Sequence, residues 1–391
     1  MPVERRDLRI GYTPLCDCAP LIVAQELGLF TEHGLNVRLE RQNSWATNRD
    51  MLGIGALDAA HMLAPAVVAA WMGDGPRNII APMALSLNGN TIAVSQALYD
   101  QLEIDDPNAS PIQIARALYA HVARLKHRGG SPLRFAAVFP HSNHMLDLRR
   151  WLKSGGIDPD RDVRIGIVPP IEVEQFLERG LIDGYCVGEP WGSLAVARGF
   201  GRIVASSYDL WTNRIEKVLA VGTQFAGENP GALHALLQAV LRAAQWVDDP
   251  NNRAAVASLL AQGGHIDAPA EVLRRPLTGR MVYAQGAAPI SNPDFQVYHR
   301  YAANFPWRSQ ALWMGDALAR ARLVGPDGAP AQAFRPAHYA RAAQELGIAY
   351  PLIDMKDEGA HDSPWMLEKA STPIPMGVER TFDGANLEHD A

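Results

Sequence analysis

Cysteine is scarce in this chain: Cys16, Cys18 and Cys186 are the only three in 391 residues. So odd and sparse a set argues against a disulfide framework. Cys16 and Cys18, one residue apart, are too close for a relaxed bridge with each other. A zinc site would want a second Cys/His pair at ligand spacing, and Cys186 alone does not supply it. The pair reads either as small residues packed near a functional loop or as a metal- or redox-responsive couple. Long apolar runs are missing too, with nothing near the ~20 residues that span a bilayer. A net charge of −6 lacks the basic excess of a nucleic-acid binder. There is no Gly-x-Ser-x-Gly elbow, Walker loop, His-Glu-x-x-His helix or Gly-x-Gly-x-x-Gly after a strand. The reading is therefore not an enzyme, with no cofactor and no metal. No apolar segment follows Arg5 and Arg6 in MPVERRDLRIGYTP, so no export leader is expected and a cytoplasmic location is, provided the chain is not trimmed.

What is present is an internal repeat. LRIGYTP (Leu8–Pro14) resembles LRFAAVFP (Leu133–Pro140), and GALDAAHMLAP (Gly55–Pro65) resembles GLIDGYCVGEP (Gly180–Pro190); both offsets are 125 positions, 8 to 133 and 55 to 180. Between them FTEHGLNVRLE parallels LKSGGIDPDRDVRIGIV. Each copy reads strand, helix, strand, helix, short strand, helix. That pattern predicts two lobes, each a mostly parallel α/β sheet with helices on both faces. Two such lobes suggest a bilobed clamshell whose ligand sits between them, beyond the strands' carboxyl ends. Asn88–Val94 is expected to cross to the second lobe and Ser206–Thr223 to return. Residues 1–90 would then open lobe 1, 91–215 form lobe 2, and 216–370 complete lobe 1 with a helical C-terminal cap. DDPNASP (Asp105–Pro111) reads as a turn-rich break, and the Pro/Gly-rich 371–391 as a flexible tail.

A few residues suit a small anion, which needs donors, a positive charge and an apolar wall. Trp45 offers wall and N–H together. His144 opens a helix after PHSN and can donate from one or both nitrogens. Lys217, in IEKVLAV, is a compact point charge. Each has a plainer reading: Trp45 as core, His144 as a helix-start cap, Lys217 as a solvent-facing lysine. Glu189 reads equally as a ligand-side carboxylate or as a structural acceptor.

In order along the chain, PLCDCAPLIVAQELGLF, SWATNRDML, LDAAHMLAP, SLNGNTIAVS, IDGYCVGEPW and IEKVLAV resemble the nitrate- and bicarbonate-binding proteins of ABC importers (the NrtA/CmpA-like family) from about Leu8 to beyond Val247. The resemblance implies a periplasmic-binding-protein-like (type II) fold. Without a leader, the chain is more similar to the cytoplasmic NasS-type nitrate/nitrite sensors of that family. Such sensors hold a NasT-like RNA-binding antiterminator and release it on binding nitrate or nitrite, without touching nucleic acid or membrane themselves. The alternative is the substrate-binding component of a nitrate or other small-oxyanion ABC transporter. A further rival is a thiamine-pyrimidine-synthase-like enzyme, which would need an iron site richer in Cys and His than the CDC pair. By resemblance the ligand contacts are Trp45, Asn90, His144, Pro170 and Lys217, and Glu189 is placed with them as a candidate on its own residue reading. Asn90 stands where importer relatives are expected to carry Gln. Cys16 and Cys18 stand where Thr- or Ala-like residues are expected. The positive charge of Lys217 favours nitrate or nitrite over bicarbonate.

Overall fold

The computed structural model describes residues 2–106 and 108–384; Pro107, inside the DDPNASP break, and residues 385–391 lie outside the described residues. The chain begins with β1 (Asp7–Tyr12), β2 (Asn36–Arg41) and β3 (Ala59–Leu63), all in one parallel array. Helices Ala19–Glu26, Trp45–Gly53 and Ala64–Trp71 alternate with them. β4 (Ile79–Asn88) joins the same sheet, whereas β5 (Asn90–Ser95) already belongs to the other lobe. There β6 (Arg134–Ala137), β7 (Arg164–Ile167) and β8 (Gly184–Gly188) repeat the parallel array, with helices Asn143–Ser154, Val173–Glu178 and Trp191–Arg198. β9 (Gly201–Ser206) ends the lobe and β10 (Ile215–Gly222) returns to the first. The first sheet runs Gln296–Val297, β4, β10, β3, β1, β2, and the second β7, β6, β8, β5, β9.

The two orders are the same arrangement used twice. In each, a strand from the other half, β10 or β5, lies antiparallel beside β3 or β8. The sheets are therefore mixed rather than mostly parallel, because a strand that enters from across the cleft runs the opposite way. The repeated Gly-x-[Leu/Ile]-Asp turn performs one task in both copies. Asp58 accepts from the backbone N–H of Arg9 at 2.8 Å, and Asp183 from that of Arg134 at 2.7 Å. Each carboxylate thereby ties the start of its lobe's third strand to the first. β3 and β8 are buried along their whole length, which is why they read as apolar runs rather than alternating ones.

The crossings carry a second repeat-related pair. Asn88 and Asn213, again 125 positions apart, both take the left-handed conformation, with φ of 59° and 60°. The Asn88 side chain donates to Asn213 Oδ1 at 3.2 Å and accepts from the Asn213 backbone N–H at 2.9 Å. Asn is one of the few residues with a Cβ that tolerates this region. Asn88→Ala should therefore cost about 1–2 kcal/mol in urea denaturation, and Asn88→Gly measurably less, since glycine relieves the strain but not the lost bonds. Equal losses for the two would remove strain from the explanation.

Helix Pro230–Asp248 packs on Ala19–Glu26 and Pro336–Glu345, and Arg308–Arg320 on Ala64–Trp71, completing lobe 1. The expected loose tail is instead fastened as far as residue 384. Ile374–Met376 pairs with Trp365–Leu367, Glu379–Arg380 pairs with Ala360–His361, and Phe382 packs against the second lobe's core. Composition concealed this, because the ties are short β-pairs and a buried Lys356–Glu379 ion pair. Among the described residues no helix is long and apolar enough to cross a membrane.

Candidate functional site

The cluster is built on β10, a fully internal strand with two charges, Glu216 and Lys217, in an otherwise apolar run. Register shifts against β4 on either side of Lys217 mark a bulge. Neighbours on a regular strand point to opposite faces; a bulge re-aims them. Lys217 Nζ accordingly reaches Glu216 Oε1 at 2.8 Å, and Asp17 Oδ2 at 2.9 Å. Its ammonium also lies 5.6 Å from the centre of the Trp45 ring, inside cation–π range. Lysine, both carboxylates and the indole are all buried. Lys217 is thus not the free point charge that sequence suggested: two carboxylates already neutralise it.

Asp17 sits in the single turn Cys16–Cys18 that precedes helix Ala19–Glu26. His61, on β3, places Nε2 2.9 Å from Asp17 Oδ1 and packs edge-on against Trp45, ring centres 5.2 Å apart. From lobe 2, helix Asn143–Ser154 starts at a Ser142 cap and delivers two residues. Asn143 donates to Glu216 Oε2 at 2.9 Å, and His144 Nε2 stands 3.8 Å from Glu216 Oε1. Arg214 holds Asp147 through two bonds of 2.8 and 2.9 Å and approaches Glu216 at 3.7 Å.

Charge and burial compete throughout. Burial alone would raise the Asp17 carboxyl, but Lys217 and the neighbouring His61 outweigh it and hold it well below the usual carboxylate range. Glu216 is lowered in the same way, chiefly by Lys217 overcoming burial. Lys217 is raised, its two carboxylates outweighing desolvation. Burial, then the charge of Lys217, pushes His144 down to about 3, so it is a neutral imidazole near pH 7.

Several buried polar atoms around this cluster have no hydrogen-bond partner among the described residues. They include Trp45 Nε1, both amide atoms of Asn90, both ring nitrogens of His144 and Thr13 Oγ1. Such atoms are costly when buried unless something answers them. Asn90 belongs to the group through Gly188, its partner in the β5–β8 register. A Cβ on Gly188 would stand 3.5 Å from Asn90 Oδ1 and 3.6 Å from Asp17 Oδ2, and would strike Leu15 at 2.5 Å. The lobes approach this closely only because residue 188 has no side chain.

Pro170 is buried in the turn after β7, at the repeat position of Trp45. Glu189 is buried with its carboxylate committed, accepting from the Thr91 hydroxyl at 2.8 Å and the Ser193 backbone N–H at 3.1 Å. Its backbone oxygen accepts from Cys16 N–H at 2.8 Å, and Trp191 Nε1 donates to Pro14 at 3.2 Å, so this loop ties lobe 2 to lobe 1. The three thiols are free and buried, and burial pushes each of them up, away from reactive thiolate character. In CDC the residue that faces the cluster is the aspartate. Among the described residues no group of three or more His, Cys, Asp or Glu is placed to hold a metal. A groove of about 500 Å3 between Asn143–Ser154 and Arg308–Arg320 lies apart from this cluster. Its Arg149, Arg150 and Arg320 are already paired with Asp160, Asp383 and Asp316. Sequence reasoning missed Asp17, His61, Glu216 and Asn143; the two charges inside IEKVLAV were the one available signal.

Known proteins bear on this chain in three ways. The NMT1-like family matches residues 1–261. The bicarbonate transport ATP-binding protein CmpC of Synechococcus elongatus is 37% identical over 328 residues, 81% of this chain but 46% of that protein. The chain thus spans about half the length of the first curated relatives it matches. The nitrate/nitrite binding protein NrtA of the same species is 32% identical over 322 residues, 79% of this chain and 70% of that protein. The crystal structure of periplasmic nitrate-binding NrtA from Synechocystis superposes with a TM-score of 0.85 over 99% of this chain and 97% of that one, at 24% identity. That likeness fixes the fold as the bilobed clamshell of periplasmic binding proteins. The chain belongs to the NMT1-like family and is homologous to the NrtA and CmpA nitrate- and bicarbonate-binding proteins.

Proposed function

We propose that the chain binds nitrate or nitrite at the Lys217 cluster and serves as a cytoplasmic sensor. In this reading the anion draws the lobes together and a NasT-like RNA-binding antiterminator is released. One observation carries the ligand: buried polar groups without partners, Trp45 in lobe 1 and Asn90 and His144 in lobe 2, border the buried ions around Lys217. Nitrate is planar, with three acceptor oxygens and no donor of its own. Trp45 Nε1 and an N–H of Lys217 would meet it from lobe 1, and Asn90 and His144 from lobe 2. Pro170 would add wall, and Glu189 would hold Thr91, next to Asn90, in place. A ligand favours closure only by its differential affinity for the closed state, and contacts split between lobes supply that difference. NrtA relatives named for nitrate and nitrite support the ligand class.

Trp45→Phe keeps an aromatic ring beside His61 but removes the N–H together with part of the buried indole's volume. Its nitrate Kd should rise about 5- to 30-fold, or 1–2 kcal/mol, without loss of fold. An unchanged Kd in calorimetry would take Trp45 out of the site. The regulatory half of the reading is tested by capture of a NasT-like antiterminator. The expected result is a complex without anion and its release by nitrate or nitrite. A complex indifferent to either anion, or none at all, would leave the second reading, an ABC importer's substrate-binding component, which the transport proteins among the relatives favour.

A further inference from the structure

We propose that this site takes up about one proton with each anion it binds, and that His144 receives it. The proposal rests on the anion-binding reading above and adds its regulation.

Charge is the starting point. Asp17, Glu216 and Asp147 stand against Lys217 and Arg214, three carboxylates to two cations, linked by contacts of 2.8 to 3.7 Å. With neutral imidazoles the buried cluster carries one net negative charge, and an arriving monoanion would make two. Doubling a like charge in a region of low dielectric is strongly unfavourable. The cations have little left to offer. Lys217 donates to Glu216 at 2.8 Å and is ion-paired with Asp17 at 2.9 Å, so its charge is already answered twice. Arg214 is bonded twice to Asp147 and lies 5.6 and 5.7 Å from the ring centres of Trp211 and Trp313.

That leaves the two imidazoles, and they are not equivalent. Both ring nitrogens of His61 already have a neighbour: Nδ1 accepts the Thr13 backbone N–H at 3.4 Å and Nε2 stands 2.9 Å from Asp17 Oδ1. His144 is fully buried, and neither of its nitrogens has a hydrogen-bond partner among the described residues. A proton there would lie between Glu216, 3.8 Å away, and the anion, and both would stabilise it. The charged groups that act on His144 are Lys217 and Glu216 on β10, Asp17 in the Cys16–Cys18 turn and Arg214 before β10. The two carboxylates favour the proton. The two cations oppose it, and theirs is the charge a bound anion offsets. In the free protein the proton is absent near pH 7, as burial and Lys217 hold His144 at about 3. It must therefore come from the buffer acid, leaving the buffer base in solution.

The test is calorimetric titration of the full chain with potassium nitrate near neutral pH, in buffers of different ionisation enthalpy. The slope of observed heat against that enthalpy counts protons. A slope of about one is expected, with affinity falling about tenfold per pH unit wherever it holds. His144→Gln should bring the slope to about zero and flatten the pH profile while some nitrate binding remains. A zero slope in the unaltered protein overturns the proposal and leaves the anion reading standing. A slope that survives in His144→Gln overturns the assignment to His144. The absence of any saturable nitrate heat overturns the anion reading and this proposal with it. The unaltered protein alone decides the first and third outcomes, should the variant fold poorly.

Discussion

Lys217→Met is expected to abolish anion binding and to lower stability, and Asp17→Asn in the same chain is expected to restore much of the stability but none of the binding. Removing the ammonium leaves Asp17 and Glu216 as buried carboxylates, with His61 beside the first and Asn143 and the more distant Arg214 beside the second. Breaking a buried ion pair from one side typically costs about 3–5 kcal/mol, most of it the penalty of the stranded charge. Neutralising Asp17 removes one of those charges. The affinity loss has another origin, namely the missing charge and N–H beside Trp45. It should exceed about 30-fold, or 2 kcal/mol, in both single and double variants. Urea denaturation and calorimetry on the four proteins of the cycle separate the two effects. A double variant no more stable than Lys217→Met would mean that the Lys217–Asp17 contact is not an energetic unit. The same cluster sets a pH window. Asp17 and Glu216 are depressed, so their stabilisation is present above the unfolded carboxylate values and lost as pH falls through the folded ones. Lys217 is raised, so its share is present below the unfolded lysine value and lost as pH rises through the folded one. The contribution of these three groups should therefore be flat from about pH 5 to 10, while the lowered His144 takes stability away as pH falls below the unfolded imidazole value of about 6.5.

Arg214→Met should be nearly as damaging to stability, at about 3–5 kcal/mol, because it strands Asp147 within the second lobe. The guanidinium does more than pair. It leaves the return crossing one residue after Asn213, lies beside Trp211 and Trp313, and grips the helix that carries His144. Nitrate affinity should fall with it, through misplacement of His144. Replacing both partners, Arg214→Met with Asp147→Leu, should recover most of the stability, since a buried ion pair exchanged for apolar side chains of similar volume is often neutral. Affinity should stay reduced, because the tether to the crossing is gone. If the double variant denatures at the same urea concentration as Arg214→Met, the loss lies in the tryptophan contacts rather than in the ion pair.

How much of this was legible in the sequence depended on whether a residue's role is local. The 125-residue repeat, with its paired Gly-x-[Leu/Ile]-Asp turns, exposed two equivalent lobes because each turn reports on its own strand start. The mixed sheet order was not legible, since β5 and β10 are exchanged across the crossings. Trp45, His144 and Lys217 could be read from short phrases, and they do gather around one ammonium or its carboxylates. Their partners could not. Asp17 lay hidden between two cysteines that turn out to be packing, and His61 in AAHML reads as core. Glu216 next to Lys217 should point to the opposite face, and only the bulge brings them together. Asn88 and Asn213 were legible in principle, being a repeat-related pair of a residue suited to positive φ.

The central claim is that a small monoanion is held at Lys217. Titration of nitrate into the unaltered protein and into the Asp17→Asn, Lys217→Met double variant, at one pH and ionic strength, tests it most directly. The account predicts saturable one-to-one binding in the first and none in the second, with both proteins folded. Equal nitrate affinity in the two would contradict it.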